Sequence, residues 1–399
     1  MALRRRDLLL ASVTAAIAGA APADAQARAS RWIVAWDAQG FHRTATPGDE
    51  AGAAWLAGEA ASIANGVSSE EFALDRIDQT EAFAEFNGER IAGEKLFDSP
   101  DTPRGGVAGA AGPVPGDGAV GLVELSPPAV YSPGFIQMRR TTRQHALVAV
   151  TKGERPGLAL LNAEAFRTPY GPAILQVSSE ARERLFGAVA RGTALRVVCE
   201  SRRTPARARN VVVTLTGRDP ARPPVVVMTP RSSWWQSTSE RGGGLVCWLE
   251  ALRALAAEPP VGDVVFVASS GHELGHIGLD AFMARRPGWE RTATWLHFGA
   301  NIGAAGGRQT LQSPWDDLRA LASRAMADAG QPPDGLLAKD TVPNGALADI
   351  HRAGGRYITL AGSNLLFHLP QDRWPDAVDV GVVARSAAAF AQVAVALTR

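Results

Sequence analysis

The chain has 399 residues, of which 46% are apolar and 20% charged, with a formal charge of +1. That balance supports a packed core with room for two domains and excludes a chain dominated by disorder. The near-neutral charge gives no sign of a nucleic-acid surface or an acidic tail, and no obvious internal repeat points to a solenoid or propeller.

Residues 1–27 read as an export signal rather than as part of the fold. Arg4, Arg5 and Arg6 form a positive start, and residues 8–21 are apolar but too short and small for a membrane span. Small residues follow in the cleavage pattern Ala23-Asp24-Ala25 or Ala25-Gln26-Ala27. The run Arg5-Arg6-Asp7-Leu8-Leu9 fits a twin-arginine signal. A periplasmic or secreted protein is expected, with no membrane span once the signal is removed.

Residues 28–67 suggest a short extended start and then a helix over 48–64. Residues 68–205 alternate short apolar runs with Gly- and Pro-rich turns such as Gly116-Asp117-Gly118 and Thr168-Pro169-Tyr170-Gly171-Pro172. That is the texture of a mostly β module. Strands are expected at 147–150, 158–161 and 194–199, and a helix over 178–191 capped by Ser178 or Ser179. Cys199 and Cys247 are the only cysteines, too few for a disulfide framework.

From residue 206 onward the texture changes to buried strands separated by helices. Runs at 211–215, 225–228, 264–268, 295–298 and 357–360 are β-branched or apolar. Leu245, Trp248, Leu249, Leu252 and Leu255 form one stripe at helical spacing, and Val383, Phe390, Val393 and Leu397 another. The expected class is α/β: a mixed, mostly parallel central sheet with helices on both faces, plus a smaller mostly β inserted domain. Ligand sites in such sheets lie beyond the carboxyl ends of the strands.

The densest chemistry follows the run at 264–268. His272-Glu273-Leu274-Gly275-His276 matches H-E-x-x-H, in which two histidines one helical turn apart hold zinc. Gly271 and Gly275 work against the continuous helix that pattern needs.

From Asn210 the order of features resembles the M28 family of zinc aminopeptidases. Asn210-Val211-Val212-Val213-Thr214-Leu215-Thr216-Gly217 matches its opening N-V-x-x-x-L-x-G strand. Glu240-Arg241-Gly242-Gly243-Gly244 before Trp248-Leu249-Glu250 stands where the family has D-N-x-S-G and L-L-E. His272 to Gly278 stands in place of E-E-x-G-L-x-G, and Phe367-His368 in place of the last histidine. Residues 171–192 resemble the end of a protease-associated domain, a common insertion in secreted members.

The resemblance implies an exported hydrolase, an aminopeptidase or amidase acting on a peptide or amide substrate. It implies one retained zinc, held by Glu240, Glu273 and His368, with His272 as the group that activates water. The second ion's ligands are replaced by Pro230 and Ala300. Arg231, Trp234, Trp235, Arg241 and His297 fall near the same sheet edge and are expected to contact substrate. Two other readings stand beside it: a non-catalytic binding protein of the same fold, and a zinc site on His272 and His276.

Overall fold

The structure, a computed structural model, describes residues 22–257 and 259–399. Two helices open it, α1 (Pro22–Asp37) and α2 (Pro47–Ile63). The extended start expected at residue 28 is a helix instead. Ala29, Trp32, Ile33 and Trp36 recur at the 3–4 residue spacing that builds one apolar face, and all four are buried. Helix α2 begins with proline in its first turn and carries Asp49 and Glu50 there, both suited to the positive end of a helix. Residues 1–21, which hold most of the expected export signal, lie outside the described residues; the rest of it forms the first turns of α1.

Two long strands follow, β1 (Val67–Phe86) and β2 (Leu195–Leu215), paired antiparallel from Val67 opposite Val213 to Glu85 opposite Arg196. The sequence suggests two separate strands at 194–199 and 211–215. They are one strand, because the arginine-rich stretch between them continues the ladder as an exposed ribbon. Pro205, opposite Asp75, is tolerated in so narrow a ribbon. The boundary expected at 205 therefore falls inside β2.

The ribbon carries a second, five-stranded sheet built from Glu94–Lys95, Ala173–Val177, Ala146–Thr151, Val120–Leu125 and Ala111–Pro113. It has its own apolar cluster around Val148, Val150, Leu175 and Leu185. Residues 158–161, expected as a strand, join no ladder, although 159–161 are buried. Their amides are taken by side chains: Leu161 N–H by Gln176 and Ala159 N–H by Thr151.

The main sheet continues with β3 (Val225–Pro230), helix α3 (Thr238–Ala256), β4 (Val264–Ser269), helix α4 (Ile277–Ala284), β5 (Thr294–Phe298), β6 (Gln309–Gln312), helix α5 (Asp316–Asp328), β7 (Arg356–Gly362) and helix α6 (Val380–Leu397). Its order is Gly335–Leu336, β6, β7, β5, β3, β4, β2, β1, Glu89–Ala92. Strands β7, β5, β3 and β4 run parallel, as the apolar runs suggest. Side chains alternate between faces. Val225 and Val227 join the core with α1, α2, α3 and α6, while Val226 and Met228 join the one with α4.

Helix α3 is buried almost throughout. Its glycines permit a close approach to the sheet: a Cβ on Gly243 would stand 1.9 Å from the carbonyl oxygen of Ile302. Helix α6 is apolar and long enough to cross a membrane by length and composition alone, yet Val383, Phe390 and Val393 are fully buried in the core. Cys199 and Cys247 are both free and belong to different apolar clusters.

Candidate functional site

The carboxyl ends of β3, β4, β5 and β7 open on a cavity of about 280 Å³. His272 lies after β4, His297 on β5 and His368 in the loop after β7, and all three line it. Pro230 and Ala300 line it too. From the inserted segment come Tyr131 and Asn162. Other cavities, of about 350, 550 and 630 Å³, share none of these lining residues, and no ionisable residue lines the one of 630 Å³.

Glu240 sits in the first turn of α3 and is fully buried behind the cavity. Asp372 fixes it there: its carboxylate accepts from the backbone N–H of Ser239 at 2.9 Å and of Glu240 at 3.0 Å. Glu240 Oε1 is 3.4 Å from His368 Nε2 and 2.7 Å from Arg241 Nη2. Burial pushes the Glu240 carboxyl up, but the charges of Arg241 and His368 outweigh it and hold it at about 2. Burial, with the Glu240 charge adding to it, pushes Asp372 up to about 7.

His368 is anchored at both ends. Its Nδ1 lies 2.5 Å from the carbonyl oxygen of Leu160, and its own carbonyl accepts from Trp235 Nε1 at 2.8 Å. His297 Nδ1 meets Thr359 Oγ1 at 2.8 Å. Burial first, and then the nearby Arg241 charge, hold His272 well below the usual imidazole range, His276 at about 4 and His297 at about 3.

Polar atoms are left over at this spot. Arg241 Nη1, His272 Nδ1, His276 Nε2 and His297 Nε2 are buried without a hydrogen-bond partner among the described residues, while Glu240 Oε1, Arg241 Nη2 and His368 Nε2 have only one another. Each such group costs about 1–3 kcal/mol when left unpaired, so a fold tolerates a cluster of them only for a reason. Ser237, His276, Asn301 and His368 also hold left-handed backbone conformations without being glycine. Strained residues of that kind gather at functional sites.

No family model matches the sequence, and no curated protein matches it. Solved structures do. BSAP, a zinc aminopeptidase from Bacillus subtilis, superposes with a TM-score of 0.75 at 14% identity, over 92% of this chain and 94% of that one. A peptidase M28 precursor from Shewanella amazonensis gives 0.70 at 13%, over 95% and 98%. An aminopeptidase from Aneurinibacillus gives 0.68 at 12%, over 95% and 96%. The chain has the fold of the M28 zinc aminopeptidases. The match takes in the inserted segment as well as the main sheet, since it extends over more than nine-tenths of the chain.

Within this M28 fold the donor set does not fit zinc as the sequence suggests. No group of three or more His, Cys, Asp or Glu able to hold a metal occurs among the described residues. Glu240 and His368 do meet. Glu273 does not offer its oxygens: Oε1 accepts from the backbone N–H of Thr44 at 2.7 Å, and Oε2 from Ser232 Oγ at 2.6 Å. Burial raises its pKa. A guanidinium already occupies ion-pair distance from Glu240.

The H-E-x-x-H alternative also lacks its framework. His272–Leu274 is a single tight turn, Gly275 and His276 are left-handed, and α4 starts only at Ile277. The two imidazoles meet edge to face at 4.6 Å instead of lying side by side on one helix.

The expected substrate contacts divide. His297 lines the cavity, and Arg241 sits behind it. Arg231 does not reach it. It is fully buried against Asp49 of α2, its Nη1 donating to Asp49 Oδ1 at 2.6 Å and to the Asp49 carbonyl at 2.7 Å. Trp234 and Trp235 line a separate cavity of about 350 Å³ next to Phe41 and Pro47. Trp234 Nε1 donates to Asn162, and the Trp235 indole holds the His368 backbone, so both act from behind the site. Sequence reasoning missed Asp372, Tyr131 and Asn162. A carboxylate four residues after His368 was the one available signal.

Proposed function

We propose that the protein takes a peptide or small amide in the 280 Å³ cavity and acts as a binding protein of hydrolase fold. The convergence of the buried imidazoles of His272, His297 and His368 on this cavity, each with a ring nitrogen free of a hydrogen-bond partner among the described residues, carries this reading. They supply donors and acceptors suited to an amide or a carboxylate. A general base works best with a pKa near the operating pH, and burial and Arg241 hold His272 far below it. In this reading the segment 68–205 is a protease-associated-type module whose Tyr131 and Asn162 form one wall of the cleft. In the same reading the protein reaches the periplasm or the medium through the signal in residues 1–27, and where the twin-arginine route is used, lysine at Arg5 and Arg6 blocks that export.

One observation favours a second reading, retained hydrolysis with a single zinc. If the His368 Nδ1 proton is donated to Leu160 and Nε2 is unprotonated, Nε2 presents its lone pair to Glu240, and a cation can bridge the two acceptors 3.4 Å apart. The guanidinium would have to leave Glu240 for that.

Dipeptides and their carboxyl-terminal amides, screened by thermal shift, separate the two. Binding stabilises the fold by RT ln(1 + [L]/Kd), and the binding reading expects a shift that His297→Ala removes. It also expects no release of p-nitroaniline from aminoacyl-p-nitroanilides. Release that disappears in His368→Ala overturns it in favour of the second reading.

A further inference from the structure

Arg241 is placed as a cation would be. Its Nη2 lies 2.7 Å from Glu240 Oε1, and His368 Nε2 approaches the same oxygen at 3.4 Å. Its Nε donates to the Ser232 carbonyl at 2.9 Å, which fixes the plane of the guanidinium. The side chain is 1% exposed and the Glu240 side chain 0%. Nη1 and Nη2 make no hydrogen bond among the described residues. The positive charge is therefore neutralised by Glu240, and only Nη1 is left without a close partner.

The surrounding substitutions agree with this. Pro230 and Ala300, where the resemblance expects ligands for another ion, line the cavity with side chains that bind no metal. Glu273 is tied to Thr44 and Ser232. Ser232 thus holds Glu273 through its hydroxyl and Arg241 through its carbonyl, so one residue fixes both departures. A guanidinium is permanently charged and offers a planar fork of donors that matches a carboxylate or carbonyl oxygen.

We infer that Arg241 is the resident cation behind this cleft: it takes the place of zinc against Glu240 and His368. This exclusion of zinc does not rest on the function proposed above.

The test is zinc alone, titrated calorimetrically into the purified chain. Wild type should bind none at this site, so His368→Ala should leave its zinc isotherm unchanged. Arg241→Gln removes the competing charge and should raise zinc affinity at least about tenfold, given how strongly a unit charge a few ångströms away opposes a cation. Adding His368→Ala to Arg241→Gln should abolish that gain. Arg241→Lys keeps the charge and should behave as wild type toward zinc. One zinc bound to wild type and lost in His368→Ala overturns the inference, and so does a folded Arg241→Gln that gains no zinc affinity. The wild-type measurement decides the matter even if Arg241→Gln does not fold. A cleft that excludes zinc but binds no dipeptide would reject the proposed function and leave the zinc exclusion standing.

Discussion

Replacing Arg231 by methionine separates a substrate contact from a structural ion pair. Arg231 is fully buried and Asp49 nearly so. The substitution removes the bonds from Nη1 to the Asp49 carboxylate and carbonyl, and one from Nη2 to the Arg209 carbonyl. Asp49 keeps the Ala45 N–H at 2.8 Å and the Ser270 hydroxyl at 2.9 Å. Removing one partner of a buried pair costs about 3–5 kcal/mol. The surviving bonds to Asp49 place Arg231→Met near the lower end, about 3 kcal/mol. Combining it with Asp49→Asn removes the stranded charge, so the double variant should be more stable than the sum of the single losses by about 1 kcal/mol or more. Urea denaturation followed by tryptophan fluorescence reads both. A loss under about 1 kcal/mol for Arg231→Met, or full additivity in the pair, refutes the structural assignment. Loss of dipeptide binding at unchanged stability would return Arg231 to the ligand site.

Asp372→Ala removes the acceptor for two amides at the start of α3 and should cost about 1–2 kcal/mol; an unchanged urea midpoint would show that the cap is dispensable. Gly243→Ala drives a methyl group into the Ile302 carbonyl, and loss of soluble, cooperatively folding protein is expected; wild-type stability would mean that α3 can lift from the sheet. His276 and His297 have folded pKa values of about 4 and about 3, below the ordinary 6.5. Below 6.5 the unfolded chain therefore takes up protons that the folded chain refuses, and stability falls as pH drops toward those values. The raised pKa of Asp372 acts in the opposite sense, with stability falling as pH rises toward about 7, so the readout is a difference. From pH 6.5 to 4.5 wild type should lose more stability than His297→Gln, and parallel curves would contradict the assignment.

Much of the architecture could be read along the chain. Strands β3, β4, β5 and β7 and helices α3 and α6 appear at the apolar runs and stripes that announce them, because period 2 and period 3.6 are local properties. The meeting of Glu240 and His368 was legible as well, since both stand at a position where strand ends and helix starts converge. Where the sequence misled, it lacked the partner. Nothing near Arg231 announces Asp49, 182 residues earlier, and nothing near Glu273 announces Thr44, 229 residues earlier. A buried charge goes to whichever neighbour can satisfy it, because leaving it unpaired costs several kcal/mol. Residue types and spacings thus determined which groups could carry chemistry at this sheet edge. Only the packing of α2 and its flanking residues against β3 and β4 decided which of those groups were already spent on the fold, and which, His272, His297 and His368 among them, were left facing the cavity.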